Sequence, residues 1–195
     1  MSSHHFVKEG QEPALLVVDA LADDHLMSML EWSPMVLVVG TAMPKVASWG
    51  IRVDAVFADE RAHNDDVVYD AEPHVGPARI VDSTTGLVSS VLHFLRSRRQ
   101  YALQVMASSS EENFRAWGSA DDFQITLVDA AMKWSRIPSG RFEKWMPEAA
   151  SLSVRADAAF QVSGATQHEN QITTERSGII KVFSSAPFWV GEQHR

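Results

Sequence analysis

The stretch ALLVVDA, residues Ala14–Ala20, decides the fold because its run Leu-Leu-Val-Val is apolar on both faces of a strand. A strand of this kind needs cover on both sides, as in a parallel sheet between helices. MVLVVG, residues Met35–Gly40, repeats the pattern. Further short runs rich in apolar residues are Asp54–Ala58, Ala78–Val81, Tyr101–Ala107 and Phe123–Val128. The sequence therefore predicts an α/β domain with a mainly parallel, six-stranded sheet.

Two stretches between these strands predict helices: Ala22–Trp32 and Thr84–Arg99. In the second stretch, apolar residues recur at i, i+4 and i+8, which predicts one buried stripe: Leu87, Val91 and Leu95. The basic run Arg96–Arg99 then lies at the helix end, where cations interact favourably with the helix dipole. A phosphate site is the alternative explanation for that run.

After about Pro138 the pattern changes to the period of antiparallel strands. From Leu152 to Val162, apolar residues occupy every second position, which predicts one half-buried strand. Gly178–Ser184 and Ala186–Val190 predict further strands, with Ser-Gly pairs as turn signals. We therefore predict two domains, an α/β domain over residues 1–137 and a small β-sandwich over residues 138–195.

The composition excludes several classes of partner. The formal net charge is -8, and the 17 basic residues are scattered, which argues against a nucleic-acid partner held by phosphate contacts. No cysteine is present, so neither a disulfide nor a thiolate metal site can form, and a reducing cytoplasm is the expected location. No apolar stretch reaches the roughly 18 residues of a membrane span, so we expect no membrane partner.

The stretch VDAVFADERAHND, residues Val53–Asp65, holds the first candidate site. A short apolar strand ends in Asp59, Glu60 and Arg61, so the stretch is either the carboxylate end of a metal and phosphate site or an ordinary polar loop. Histidines are dispersed, without zinc-binding spacing. The glycine-rich dinucleotide, P-loop and serine-hydrolase motifs are absent from the sequence.

Hydroxyl residues precede both helices that follow strands. Ser83 and Thr84 come before one helix, and Ser110 with Asn113 has the spacing of a helix start. Capping explains these residue types. Free N–H groups at the same positions could also contact an anion, so Ser83 and Thr84 remain candidate phosphate contacts.

The order of a six-stranded α/β half followed by a β-sandwich, with acidic strand ends, resembles thiamine pyrophosphokinases over roughly Ala14–Val190. The resemblance implies transfer of a pyrophosphoryl group from ATP to thiamine with Mg²⁺, by a homodimer whose active sites lie between subunits. The family carries Gly-Asp-Phe-Asp-Ser after the third strand, which matches Ala58–Ala62 and retains Asp59 but has Arg61 at the second acid.

The other family motifs are retained in part. Lys-Asp-x-Thr-Asp matches Val81–Thr85 and retains Asp82 and Thr84. Asp-Gly-Gly is replaced by Gly40-Thr41-Ala42, and Gly-x-Arg-x-Asp-His falls near Ser108–Asn113 without its Arg or His. Of the Ser-Asn-Glu loop associated with thiamine, only Asn170 is kept.

The resemblance implies a set of roles for the retained residues. Asp59 and Asp82 would be the catalytic carboxylates that hold Mg²⁺, and Arg61, Ser83 and Thr84 would contact ATP phosphates. Alternatively, Arg61 pairs with a neighbouring carboxylate. Asn170 would line the acceptor pocket, where a tryptophan could stack on the substrate ring or simply fill the core: Trp134, Trp145 or Trp189.

Because the sequence lacks several residues of the thiamine pyrophosphokinase motifs, three functions remain open. The first is pyrophosphoryl transfer from ATP to thiamine or a related alcohol. The second is a non-catalytic protein of the same fold that binds a small ligand, thiamine-like or a nucleotide, or a protein partner. The third is an α/β enzyme that uses a different phosphorylated substrate.

Overall fold

A computed structural model describes residues 12–19, 29–31, 34–57, 79–81 and 86–193 of the chain. Its strands form one mixed sheet of eleven strands and a second sheet of three. The first six strands are β1 Ala14–Val17, β2 Val36–Val39, β3 Ala55–Phe57, β4 Arg79–Val81, β5 Ala102–Met106 and β6 Gln124–Val128. The remaining eight are β7 Met132–Ile137, β8 Arg141–Met146, β9 Ser151–Ala156, β10 Phe160–Ser163, β11 Thr166–His168, β12 Gln171–Thr173, β13 Gly178–Ser184 and β14 Phe188–Gln193.

All six strands predicted for the first half of the chain are present. They pair in parallel in the order β6-β5-β1-β2-β3-β4. β1 lies at the centre, and its four residues are fully buried, as the two-faced apolar run predicts. The described part of the chain has a mixed sheet with few helices, so the predicted fold class is confirmed only in part.

The prediction that the parallel strands form a separate sheet is wrong. β6 pairs antiparallel with β7, and the same sheet continues through β14, β9, β12 and β11. The physical reason is the tight turn after β6, where the Asp129 side chain accepts hydrogen bonds from the N–H groups of Ala131 and Met132 at 2.8 and 2.7 Å. This turn returns the chain along β6. β7 ends at residue 137, where the domain boundary is predicted, and the same sheet continues into strands beyond that residue. The division into two domains at that point stays a prediction.

The predicted strand Leu152–Val162 is also wrong in one respect, because residues 157–159 interrupt it. β9, before the interruption, belongs to the large sheet, whereas β10, after it, pairs with β13 in the small sheet. The alternation of apolar residues has the same cause on both sides of the interruption, namely the core between the two sheets. Leu152 and Val154 from β9 and Phe160 and Val162 from β10 all contribute to the core between the two sheets.

Three α-helices that lie wholly within the described ranges cover the large sheet or flank it: α1 Met43–Ala47, α2 Leu87–Ser97 and α3 Glu111–Gly118. One core lies on the face of the sheet that includes Leu16 and Val105, and it takes in apolar residues of α2 and α3. The opposite face, with Leu15 and Val17, packs against α1. None of the described helices is long and apolar enough to cross a membrane.

Two of the three helix ends predicted from sequence agree with the structure, whereas capping of α2 by the hydroxyl residues Ser83 and Thr84 is wrong, because Gly86 is its N-cap residue. The stripe Leu87, Val91 and Leu95 joins the core beneath α2, whose last turn carries Arg96. Ser110 caps α3, since its Oγ accepts the N–H of Asn113 at 3.2 Å. Most of the predicted helix Ala22–Trp32 lies outside the described residues.

Gly191 in β14 provides a test of the packing between β14 and β7. A Cβ at residue 191 would lie 2.7 Å from Cε3 of Trp134 and 2.9 Å from Cε of Met132. Gly191→Ala should therefore lower the free energy of unfolding by about 1–3 kcal/mol, measured by urea denaturation. Gly178→Ala is the matched control, because a Cβ there meets no atom within 4 Å. Equal effects of the two substitutions would contradict this packing.

Candidate functional site

The carboxyl ends of parallel strands are the expected ligand site of an open α/β sheet. In the described residues, polar groups follow three neighbouring strands at this edge. We call them the strand-end cluster: Asp19 after β1, Ser108, Ser109 and Ser110 after β5, and Asp129 after β6.

Asp19 fixes one side of the strand-end cluster. Its Oδ2 accepts the backbone N–H of Ser108 at 3.0 Å, and the N–H groups of Val18 and Asp19 both donate to the Met106 carbonyl. These bonds join the exits of β1 and β5, so the loop after β5 is held in place by its neighbour. Asp19 is exposed and its carboxylate faces water at least in part.

Asp129 fixes the other side of the cluster. Burial raises the pKa of its carboxyl, but hydrogen bonds from the Ser109 hydroxyl and from the N–H groups of Ala131 and Met132 outweigh burial. The net result is a pKa below the ordinary value of an aspartate. Asp129 is therefore an ionised structural group that closes a turn, and its oxygens are already engaged by protein donors.

The loop between these carboxylates is also tied to α3. Asn113 Nδ2 donates to the carbonyl of Ser108 at 2.8 Å, in addition to the cap that Ser110 provides. Glu111 and Glu112 occupy the first turn of α3, where carboxylates offset the positive end of the helix dipole. The loop therefore presents hydroxyl and carboxylate groups at a position where the thiamine pyrophosphokinase motif would supply an arginine and a histidine.

A cleft of about 290 Å³ lies between the N-terminal ends of α2 and α3. Val18, which precedes Asp19, and Asn113, which bonds Ser108, both line it, so it adjoins the strand-end cluster. Its remaining walls are the start of α2 and three further residues of α3, namely Glu112, Ala116 and Trp117. The cleft is the space that a ligand at this edge of the sheet would enter.

Five of the predicted site residues lie outside the described residues: Asp59, Arg61, Asp82, Ser83 and Thr84. The strands that lead to them are described. Phe57, at the end of β3, and Val81, at the end of β4, are register partners in the parallel pair. Asp59 follows Phe57 by two positions in the sequence, and Asp82 directly follows Val81.

Asn170 is described, and it lies far from the strand-end cluster in the same chain. It occupies the exposed turn between β11 and β12, and its carbonyl accepts the N–H of Val154 at 2.7 Å. Four strand spacings, about 19 Å along the sheet, separate β12 from β6, the nearest of the parallel strands, and six spacings, about 29 Å, separate it from β1. One chain therefore does not bring Asn170 to the ends of the parallel strands.

The tryptophans divide between core and surface. Phe114 of α3 packs edge-on against Trp134 and Trp189, with ring centroids 5.1 and 5.3 Å apart. Both tryptophans are thus core side chains, whereas Trp145 is largely exposed. Within the described ranges, no three histidine, aspartate or glutamate side chains come together as a metal site would require.

Sequence reasoning did not single out Asp19 and Asp129, although a signal for them exists. β1 and β6 both run directly into Val-Asp-Ala, at Val18–Ala20 and Val128–Ala130. An aspartate placed after the last apolar residue of a buried strand marks the edge of a parallel sheet.

Solved structures share this architecture almost from end to end. A thiamin pyrophosphokinase from Geobacillus thermodenitrificans matches with a TM-score of 0.68 at 13% identity, covering 93% of this chain and 98% of the other. The chain has the thiamine pyrophosphokinase fold. The Bacillus subtilis thiamine pyrophosphokinase matches at 0.64 and 11% identity over 93% and 99% of the two chains, and the Candida albicans enzyme at 0.66 and 8% over 94% and 90%.

No protein-family profile and no curated protein sequence matches the chain. The chain thus has the thiamine pyrophosphokinase fold at only 8–13% sequence identity to these three structures. In this chain, the fold positions the strand-end cluster at the edge where β1, β5 and β6 end.

Asp129→Asn tests the role of the ionised carboxylate. Because the folded state lowers the pKa of Asp129, its stabilisation is present above the unfolded value of about 3.9 and is lost as the pH falls through the folded value. We expect the substitution to cost roughly 1 kcal/mol at pH 7, since the carboxylate is partly solvated. The difference from wild type should shrink towards pH 3 in thermal denaturation.

Two further variants serve as controls for Asp129→Asn. Ser109→Ala removes one of the donors to Asp129 and should cause a smaller loss with the same pH trend. Asp157→Asn alters an exposed aspartate and should change nothing. A loss for Asp129→Asn that is equal at pH 7 and pH 3 would show that the charge of Asp129 does not matter.

Proposed function

We propose that the protein transfers a pyrophosphoryl group from ATP to thiamine or a related alcohol. The observation that supports this most is the match to thiamine pyrophosphokinase structures over 93% of the chain. The family signature is only partly present, so the proposal rests on the residues that remain at the ends of β3 and β4.

Asp59 and Asp82 are the proposed ligands of Mg²⁺. They follow the register partners Phe57 and Val81, and a pair of carboxylates at the ends of adjacent parallel strands suits a hard divalent cation. When bound, Mg²⁺ offsets the negative charge of the phosphate oxygens. The chain's own task is to orient ATP, for which we propose Arg61 as a bidentate phosphate contact and Ser83 and Thr84 as hydroxyl donors.

The acceptor pocket requires a second chain under this proposal. Asn170, the retained residue of the thiamine-associated loop, lies about six strand spacings from β1 in its own chain, or about 29 Å. A homodimer could bring Asn170 of one chain to the strand ends of the other. We therefore propose that the active unit is a homodimer.

A non-catalytic ligand-binding protein is the second candidate. The loop after β5 favours it, because Ser108 and Ser110 are engaged with Asp19 and Asn113, and a basic side chain is lacking where the family motif has one. The chain would then use the same cleft to hold a nucleotide or a thiamine-like ligand.

The decisive assay is release of AMP from ATP and Mg²⁺ by the purified protein, with and without thiamine. We expect thiamine-dependent AMP, which Asp59→Ala and Asp82→Ala should lower by at least about a hundredfold, because removing one metal ligand costs several kcal/mol of transition-state stabilisation. Asp157→Ala, at an exposed position between β9 and β10, is the matched control and should retain activity.

The alternative outcome also has a clear meaning. If the folded protein releases no AMP but binds ATP or thiamine in calorimetry, the catalytic proposal fails and the ligand-binding candidate stands. If Asp59→Ala and Asp82→Ala leave AMP release unchanged, the assignment of these two carboxylates to the metal is wrong.

A further inference from the structure

A pocket of about 520 Å³ lies between α3 and the neighbouring ends of β7, β9 and β14. Three side chains form a row across the sheet at this point, because Trp189 of β14 is the register partner of both Arg136 of β7 and Arg155 of β9. Paired residues of adjacent strands point to the same side of a sheet, so an indole lies between two arginines. α3 packs on this side, since the rings of Phe114 and Trp189 meet edge-on with centroids 5.3 Å apart. We call this space the arginine pocket.

The arginine pocket carries an excess of positive charge. Three arginines line it, Arg115, Arg136 and Arg155, and with two carboxylates on the same lining the net charge is +1, in a chain whose net charge is -8. Glu111 pairs with Arg155 and also with Arg115, whose Nη2 lies 3.7 Å from Oε1. A guanidinium group has several N–H donors, so one carboxylate shared between two arginines leaves donors available to a second anion.

Arg136 is a buried arginine whose donors are only partly satisfied. Its side chain is 2% accessible, and Nη2 donates to Asp121 at 2.5 Å while Nη1 donates to the Ala120 carbonyl at 3.2 Å. The Asp121 side chain is 83% accessible, so water screens this ion pair. Among the described residues, no group accepts a hydrogen bond from the buried Nε of Arg136. A buried donor without an acceptor is costly, and an oxyanion bound beside Arg136 offsets this cost.

The ion pairs by themselves have a structural explanation. Arg155 holds the first turn of α3 through Glu111, and Arg136 holds the residues after the helix through Asp121, so the two arginines fix α3 on the sheet. This explanation requires neither a cavity nor a third arginine beside it. It also gives no reason for an arginine Nε that lacks an acceptor, whereas an anion-binding pocket accounts for all three features.

We propose that the arginine pocket binds a small aromatic molecule that carries a phosphate or a carboxylate group. The oxyanion is held between Arg155 and Arg115, since guanidinium groups bind both kinds of oxyanion in the same planar geometry. The ring contacts Trp189 beside Gly118, where a Cβ at residue 118 would lie 3.6 Å from the indole Nε1. The inference is independent of pyrophosphoryl transfer, because no residue of the strand-end cluster lines this pocket.

Binding of simple probes tests the proposal. Phenyl phosphate and benzoate are titrated separately into the isotope-labelled full chain, and the Gly118 amide and Trp189 indole resonances are followed by two-dimensional NMR. We expect saturable shifts of both resonances, with a dissociation constant of about 1 mM or tighter for at least one probe. The probe that binds more tightly identifies the anion as a phosphate or a carboxylate. Inorganic phosphate and phenol each carry only one of the two features and should bind at least about tenfold more weakly.

Two variants test whether the probe binds in the arginine pocket. Arg155→Gln should raise the dissociation constant at least about tenfold, because it removes a charge-assisted contact to the anion. Gly118→Leu should have a similar effect, because its side chain occupies the space beside Trp189. Arg98→Gln is the matched control for Arg155→Gln, since both guanidinium groups lie over a phenylalanine ring, at 3.7 Å for Arg98 and 4.6 Å for Arg155. Arg98 lies at the end of α2, so its replacement should leave binding unchanged.

Circular dichroism checks that each variant is folded. Gly118→Leu keeps every arginine of the pocket, so it still decides the question if Arg155→Gln does not fold. Two results would overturn the proposal: neither probe gives a saturable shift at Gly118 and Trp189, or both variants leave the dissociation constant unchanged. Inorganic phosphate that binds as tightly as phenyl phosphate would overturn the aromatic part of the assignment. AMP release, measured on the same wild-type sample, separates the two ideas, because probe binding without AMP release removes only the catalytic proposal.

Discussion

The turn that follows β6 is the constraint on which the architecture depends. Asp129 accepts the N–H groups of Ala131 and Met132, and this closes a tight reversal that lays β7 against β6. Without that reversal, β6 would be an edge strand and the parallel strands would form a sheet of their own. With it, a single hydrogen-bonded ladder connects the strand ends that border the proposed site to the strands that carry Asn170.

Much of the fold could be predicted from sequence because its signals are local. The runs at β1 and β2 are apolar on both faces, and Ser110 carries the mark of a helix cap, so both were found correctly. The membership of one large sheet was not predictable in the same way. It depends on which strand lies beside β6 and on where the chain crosses between sheets at residues 157–159. Neither feature produces a repeating pattern of apolar residues in the sequence.

The candidate site, unlike much of the fold, could be predicted from the sequence only in part. Resemblance to the thiamine pyrophosphokinase motifs identified Asp59, Asp82 and Asn170, whereas Asp19 and Asp129, which follow the carboxyl ends of β1 and β6, match none of the motifs considered. The role of Asp19 and Asp129 follows from the structure, in which the carboxyl ends of β1, β5 and β6 are adjacent. The loop after β5 carries hydroxyl and carboxylate groups where the motif Gly-x-Arg-x-Asp-His has basic side chains.

The position of β14 has a consequence for how the chain reaches its final form. β14 comes after both β7 and β9 along the chain, yet it lies between them and pairs with both. During synthesis on the ribosome, the parallel strands can assemble first, while β7 and β9 must wait with unpaired edges until residue 193 has emerged. The antiparallel part of the sheet thus remains open to mispairing until β14 has been made.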